Sequence, residues 1–110
     1  MELQVAFDAV LAYMRQQKRK SAADGRCMYR NPDGTKCAIG CLIPDHLYDP
    51  EFENKCIEQL PELALNLGLP IGFAARLQSA HDSSDDTSFM TVFEDKMATL
   101  ARRYNLTYST

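Results

Sequence analysis

Cys27-Met28-Tyr29-Arg30-Asn31-Pro32-Asp33-Gly34-Thr35-Lys36-Cys37-Ala38-Ile39 is the stretch whose reading decides the fold. Pro32 presets the backbone angle for the first corner of a turn, Asn31 can bond back to the turn backbone, and Gly34 takes the left-handed position from which a second strand resumes. The spacing predicts a β-hairpin of Cys27–Arg30 and Thr35–Ile39, with Cys27 and Tyr29 sharing a face with Cys37 and Ile39. So short a pair needs a helix packed against it. Beyond it, Cys37–Ile43 reads as strand by period two and as helix by the i, i+4 pairs Cys37/Cys41 and Ile39/Ile43. A strand giving way to helix near Gly40 and limited by Pro44 is the favoured reading.

Outward from the hairpin, the partners it needs are visible at both ends. Leu3, Phe7, Val10 and Met14 line one face of a helix over residues 2–19, widened by Ala6 and Tyr13. The run Gln16-Gln17-Lys18-Arg19-Lys20 suits the negative end of that helix, and Asp24-Gly25 breaks the chain after it. At the other end, Phe89, Phe93, Met97, Leu100 and Tyr104 form a stripe over residues 88–104, with Asn105 as its stop and Leu106 folding back. Between them, Asp49-Pro50 is a helix start with Asp49 as cap, and Pro61 and Gly68-Leu69-Pro70 delimit short helices. A helix over residues 71–80 buries Phe73, Leu77 and Ala80, and residues 82–88 are a polar connection. The expectation is an α+β chain of one domain, residues 1–110, mostly helical, with one short β-hairpin packed against N- and C-terminal amphipathic helices.

At 110 residues and 45% hydrophobic content there is room for one core. No apolar run is long enough to cross a bilayer, and Met1-Glu2 opens an amphipathic pattern instead of a signal peptide. A cytoplasmic protein with reduced thiols is expected, without membrane association. The net charge of -3 is uneven: residues 1–40 hold seven Lys/Arg against four Asp/Glu, and residues 41–110 hold five against eleven. That balance argues against general nucleic-acid affinity, which needs a broad basic face. The cluster Arg15, Lys18, Arg19, Lys20, Arg26 and Arg30 reads first as a solvated helix end and second as a local phosphate contact, the basis of a nucleic-acid-binding alternative. The acidic ridge of Asp45, Asp49, Glu51, Glu53, Glu58 and Glu62 is dense enough to steer a basic partner.

Four cysteines and a histidine, Cys27, Cys37, Cys41, Cys56 and His46, offer enough ligands for a tetrahedral zinc, the basis of a metal-module alternative. The C-x2-C knuckle is missing, and buried structural thiols are the favoured reading. A nucleophilic or redox cysteine needs a base or a positive neighbour, and Lys36 beside Cys37 and His46 after Cys41 supply only sequence adjacency. His81-Asp82 invites comparison with metal-dependent phosphohydrolases, with His46 and Asp95 completing the set, but a histidine at a helix end bonded to an aspartate is the simpler state. Asp82, Ser84, Asp86 and Ser88 alternate like calcium-loop ligands, yet Thr87 and Phe93 stand where glycine and glutamate are required. Nucleotide-binding and serine-hydrolase motifs are missing from the sequence. No cofactor and no catalytic residue is expected.

Cys27-Met28-Tyr29-Arg30, Asp33-Gly34, Lys36-Cys37-Ala38-Ile39-Gly40-Cys41-Leu42-Ile43-Pro44-Asp45 and Tyr48, followed by Leu77-Gln78 and His81-Asp82, give the chain its most distinctive pattern. In these residues, and in the final amphipathic helix, it resembles a set of small uncharacterised proteins of bacteriophages and bacterial genomes. The resemblance implies a phage or mobile-element setting and, by analogy of class, a non-enzymatic protein that binds a host protein or complex, for instance to inhibit a bacterial defence system. The hairpin and the acidic segment after it are the expected contact surface, with Arg30, Asp33, Lys36, Asp45, Tyr48, Asp49, Glu51 and Glu53 as the contact residues.

Overall fold

The computed structural model describes residues 1–23, 26–84 and 87–109. The Asp24-Gly25 break and Asp86 of the calcium-loop comparison lie outside them. Among the described residues four helices surround one core: α1 (Leu3–Gln17), α2 (Pro61–Leu67), α3 (Ile71–Asp82) and α4 (Phe89–Tyr104), with a two-stranded antiparallel ribbon of β1 (Ala22–Ala23) and β2 (Arg26–Cys27). The α+β, mostly helical architecture read from the sequence is the one observed.

The helices form where their apolar spacing places them. α1 buries Ala6, Phe7, Val10, Leu11 and Met14, and α4 buries Phe89, Phe93, Met97, Leu100 and Ala101. α3 contributes Phe73, Ala74, Leu77 and Ala80, and runs two residues further than its apolar pattern predicts. Rings tie α3 to α4: Phe73 meets Tyr104 edge-on at 4.9 Å, and His81 meets Phe89 at 5.6 Å. α4 ends on Asn105 in the left-handed conformation, and the Leu106 N–H folds back to the Ala101 carbonyl at 2.8 Å, as the sequence predicts. α1 ends earlier than expected. Lys18 is its left-handed cap, so Arg19 and Lys20 lie beyond the helix and not on its last turn.

The hairpin differs most from expectation. Antiparallel pairing runs between Ala22 and Cys27 and between Ala23 and Arg26, ahead of the predicted position. Around Asn31-Pro32-Asp33-Gly34 the turn forms, with the Gly34 N–H on the Asn31 carbonyl and the Asn31 N–H on the Thr35 carbonyl, each at 2.9 Å, but among the described residues the pairing stops at the isolated bridge Arg30/Lys36. The reason is competition for backbone groups. Glu53 accepts the N–H groups of Tyr29 and Arg30 at 3.0 and 3.1 Å, and Gln17 accepts the Lys36 N–H and donates to the Lys36 carbonyl, both at 2.9 Å. Gln78 accepts the Ile39 N–H at 3.0 Å. Distant side chains thus satisfy the groups that a longer ladder would have used.

Past Lys36 the chain turns into a 3-10 helix at Gly40–Leu42, close to the predicted change of conformation. Gly40 is required by close approach, since a Cβ there would lie 2.0 Å from the Tyr29 carbonyl oxygen. Further single 3-10 turns follow at Asp45–Leu47, Pro50–Phe52 and Ile57–Gln59. Asp49 caps the second of these through the Glu51 N–H at 2.9 Å, as read from Asp49-Pro50. No described helix is long and apolar enough to cross a membrane.

Candidate functional site

Two neighbouring features compose the candidate site: the exposed turns of residues 44–60 and a cleft behind them. The turns are anchored from within. The Arg30 guanidinium donates to Asp45 at 2.8 Å and to the Ile43 carbonyl at 2.9 Å, and lies over the Tyr48 ring 4.5 Å from its centroid. The Tyr48 hydroxyl donates to Glu53 at 2.7 Å. Burial first, and then this bond to Glu53, push the Tyr48 phenol up to about 12. Of the predicted contact residues, Arg30, Tyr48 and Glu53 therefore join to hold the segment in shape.

The others are distributed differently. Asp45, Asp49 and Glu51 are exposed, and with Glu58 and Glu62 they keep the acidic ridge open to solvent. Asp33 is exposed on the Asn31–Gly34 turn, where it accepts from the Thr35 N–H and hydroxyl at 2.9 and 2.6 Å and pairs with Arg19 at 3.4 Å. Those Thr35 bonds hold its carboxyl below the usual range. Lys36 is half-buried, its backbone held by Gln17.

The cysteine set with His46 does not converge among the described residues. Local bonding separates it. Cys37 is buried, with its sulfur accepting the Gly40 N–H at 3.3 Å, and the Cys41 thiol donates to the Ala38 carbonyl at 3.1 Å. Cys56 and His46 are exposed on different turns. Burial is the leading influence on both inner thiols, raising Cys37 strongly and pushing Cys41 up to about 12, although Lys36 draws Cys41 down. Proximity to Lys36 thus fails to activate either, and no disulfide joins described residues.

Instead, Cys27 meets His81 and Asp82, with one donor atom from each lying within 4.8 Å of the others. The first partner was not foreseeable, because Cys27 reaches the end of α3 only through the β1–β2 ribbon. His81 is fully buried, and the Ser21 backbone N–H donates to its Nε2 at 3.0 Å. Nε2 is therefore the lone-pair nitrogen, and the proton sits on Nδ1, which donates to Asp82 Oδ1 at 2.9 Å. A metal at Nδ1 would force a proton onto Nε2, facing the Ser21 N–H donor to donor. The trio is accordingly built as an imidazole–carboxylate–thiol network, not as a ligand set. His46 and the exposed Asp95 stand apart from it, so the phosphohydrolase set does not assemble among the described residues.

Asp82 carries the charge of this network. Burial raises its carboxyl, but hydrogen bonds from His81, Cys27 and Gln78 outweigh burial and hold it below the ordinary value. The Gln78 amide donates to Oδ1 at 2.7 Å, and two-fifths of the Asp82 side chain is open. It opens into a cleft of about 770 Å³ lined also by Arg26 and by Asn54–Glu58, a stretch of the acidic ridge that includes Lys55. Among the described residues no Lys or Arg side chain pairs with the Asp82 carboxylate, although Lys20 reaches its backbone carbonyl at 2.8 Å.

Sequence reading also missed Gln17, Ser21 and Gln78. Ser21 bonds His81 through its N–H and the Met28 and Thr35 carbonyls through its hydroxyl, at 2.8 and 3.2 Å. No local pattern marks such residues. In comparison with known proteins, the chain matches no family model, no curated protein and no solved structure.

Proposed function

We propose that this chain acts without catalysis, by stoichiometric binding to a host-cell protein or complex in the phage or mobile-element setting that the resemblance implies, with inhibition of a bacterial defence system as its class of action. The observation carrying this reading is the continuity of ridge and cleft: Glu58, exposed like Asp45, Asp49 and Glu51, lines the same cleft as the ionised Asp82, whose carboxylate pairs with no Lys or Arg among the described residues although Arg26 and Lys55 also line the cleft. An acidic face with a charged recess complements a basic surface that inserts a Lys or Arg side chain, and such complementarity steers association and fixes register. The clamp of Arg30, Tyr48 and Glu53 supports it by holding the backbone of the face in one conformation before contact.

The test compares the wild-type chain with Glu51→Lys/Glu58→Lys in affinity capture from host lysate at moderate salt, with native mass spectrometry of what is retained. A stoichiometric partner held by wild type and lost by the variant is the expected result. An empty capture, or one that the variant reproduces, overturns the reading.

A further inference from the structure

α3 and α4 pack antiparallel, with Arg76 against Tyr104 at one end of the pair and Ser83 against Lys96 at the other. Along their seam runs a groove of about 270 Å³. Each side contributes a triplet at i, i+3, i+7: Arg76 and Ser79 of α3 with its capping Ser83, and Lys96, Thr99 and Arg103 of α4, with Ala80 and Leu100 between them. No carboxylate lines it among the described residues.

What sets these three cations apart is that one groove without a carboxylate in its lining gathers them; the lack of a carboxylate partner among the described residues they share with most Lys and Arg of the chain. Arg15, Arg19 and Arg30 are each paired with a carboxylate, whereas Arg76, Lys96 and Arg103 have none within 4.0 Å among the described residues. Arg76 Nε donates to the Tyr104 hydroxyl at 3.3 Å, and Lys96 Nζ bonds Ser83 Oγ at 2.9 Å. Arg103 lies in the last turn of α4, where the helix dipole accounts for a cation. Arg76 and Lys96 lie inside their helices, and the dipole does not explain them. Arg76 and Arg103 are exposed, so solvent screens the repulsion among the three cations, and an anion lying between them would relieve what is left.

We propose that this groove binds an oligophosphate, a chain of phosphoryl groups either free or carried by a nucleotide. The arginines offer planar forks that match phosphoryl oxygens, and Lys96 offers a compact charge at the opposite end. Seven residues of helix separate the ends by about 10 Å, so an extended polyanion spans them and a lone phosphate does not. The site is separate from the ridge and cleft, and it stands or falls independently of the partner proposed above.

The experiment is calorimetric titration of the full chain at physiological salt with inorganic triphosphate and, in parallel, with adenosine triphosphate. Binding of either is expected, equal affinities identifying free oligophosphate and a tighter nucleotide identifying nucleotide as the source. Arg76→Gln/Arg103→Gln is expected to weaken binding about tenfold or more, as loss of charge-assisted bonds to phosphate does. Lys18→Gln/Arg19→Gln, on the separate basic cluster, is expected to leave it unchanged. Should the double arginine variant fail to fold, Lys96→Gln replaces it, with the same direction of effect. No binding by wild type, or equal loss in the Lys18/Arg19 control, overturns the proposal.

Discussion

Gly40 packs its α-carbon against the Tyr29 carbonyl, with no room for even a methyl group. Gly40→Ala is therefore expected to destabilise the fold by about 3 kcal/mol, the scale of core overpacking, read as a lower urea midpoint at unchanged slope. A cost within error of zero would mean that residues 29 and 40 do not make this contact. The glycine was visible in the sequence, but its reason was not, because its backbone angle is ordinary and the obstruction comes from a residue eleven positions earlier. Asp49, Gly34 and Asn105 were legible because each acts on its immediate neighbours. Gln17, Ser21 and Gln78 were not, because each acts on backbone far along the chain.

At the scale of elements, the same division explains which ones could be read. α1, α3 and α4 declare themselves by period, since an apolar face must be buried wherever the helix lies. The hairpin turn was read correctly, and the ladder after it was not, because Glu53 and Gln17 take the amides and a carbonyl that the ladder needed. Glu53→Gln keeps one acceptor oxygen for two backbone donors, so an N–H at Tyr29 or Arg30 is left unsatisfied. The expected cost is about 2 kcal/mol. Hydrogen exchange should show the amides of Tyr29 and Arg30 speeding up while those of α4 change only with global stability. Uniform acceleration across the chain would rule out a local clamp. The α3–α4 groove was illegible for a related reason, since each helix supplies half of it and neither triplet stands out alone.

Across the whole molecule, acid stability follows from carboxylates held below their ordinary values. Glu94 accepts a two-pronged bond from Arg15 at 2.7 Å on each prong and a further bond from Tyr108, tying α1, α4 and the C-terminal segment. The Arg15 bond is the leading cause of its lowered carboxyl, and Asp82 is lowered as well. A depressed carboxylate contributes stability that is full above its unfolded value, about 4, and is lost as pH falls through the folded value. Thermal melting should accordingly be flat from neutral pH to about 5 and fall below about 4. Glu94→Gln should melt lower at neutral pH and converge with wild type in acid. Parallel curves would show that the Arg15–Glu94 pair contributes nothing to the pH dependence.

The substitution of distant side chains for a strand ladder also bears on immunochemistry. Residues 27–45 owe their shape to Gln17, Glu53 and Gln78, all of which lie outside that segment. A synthetic peptide of those residues would carry the most distinctive part of the sequence without its conformation. Antibodies raised against it would report the denatured chain on a blot, and native material would call for immunisation with the intact fold.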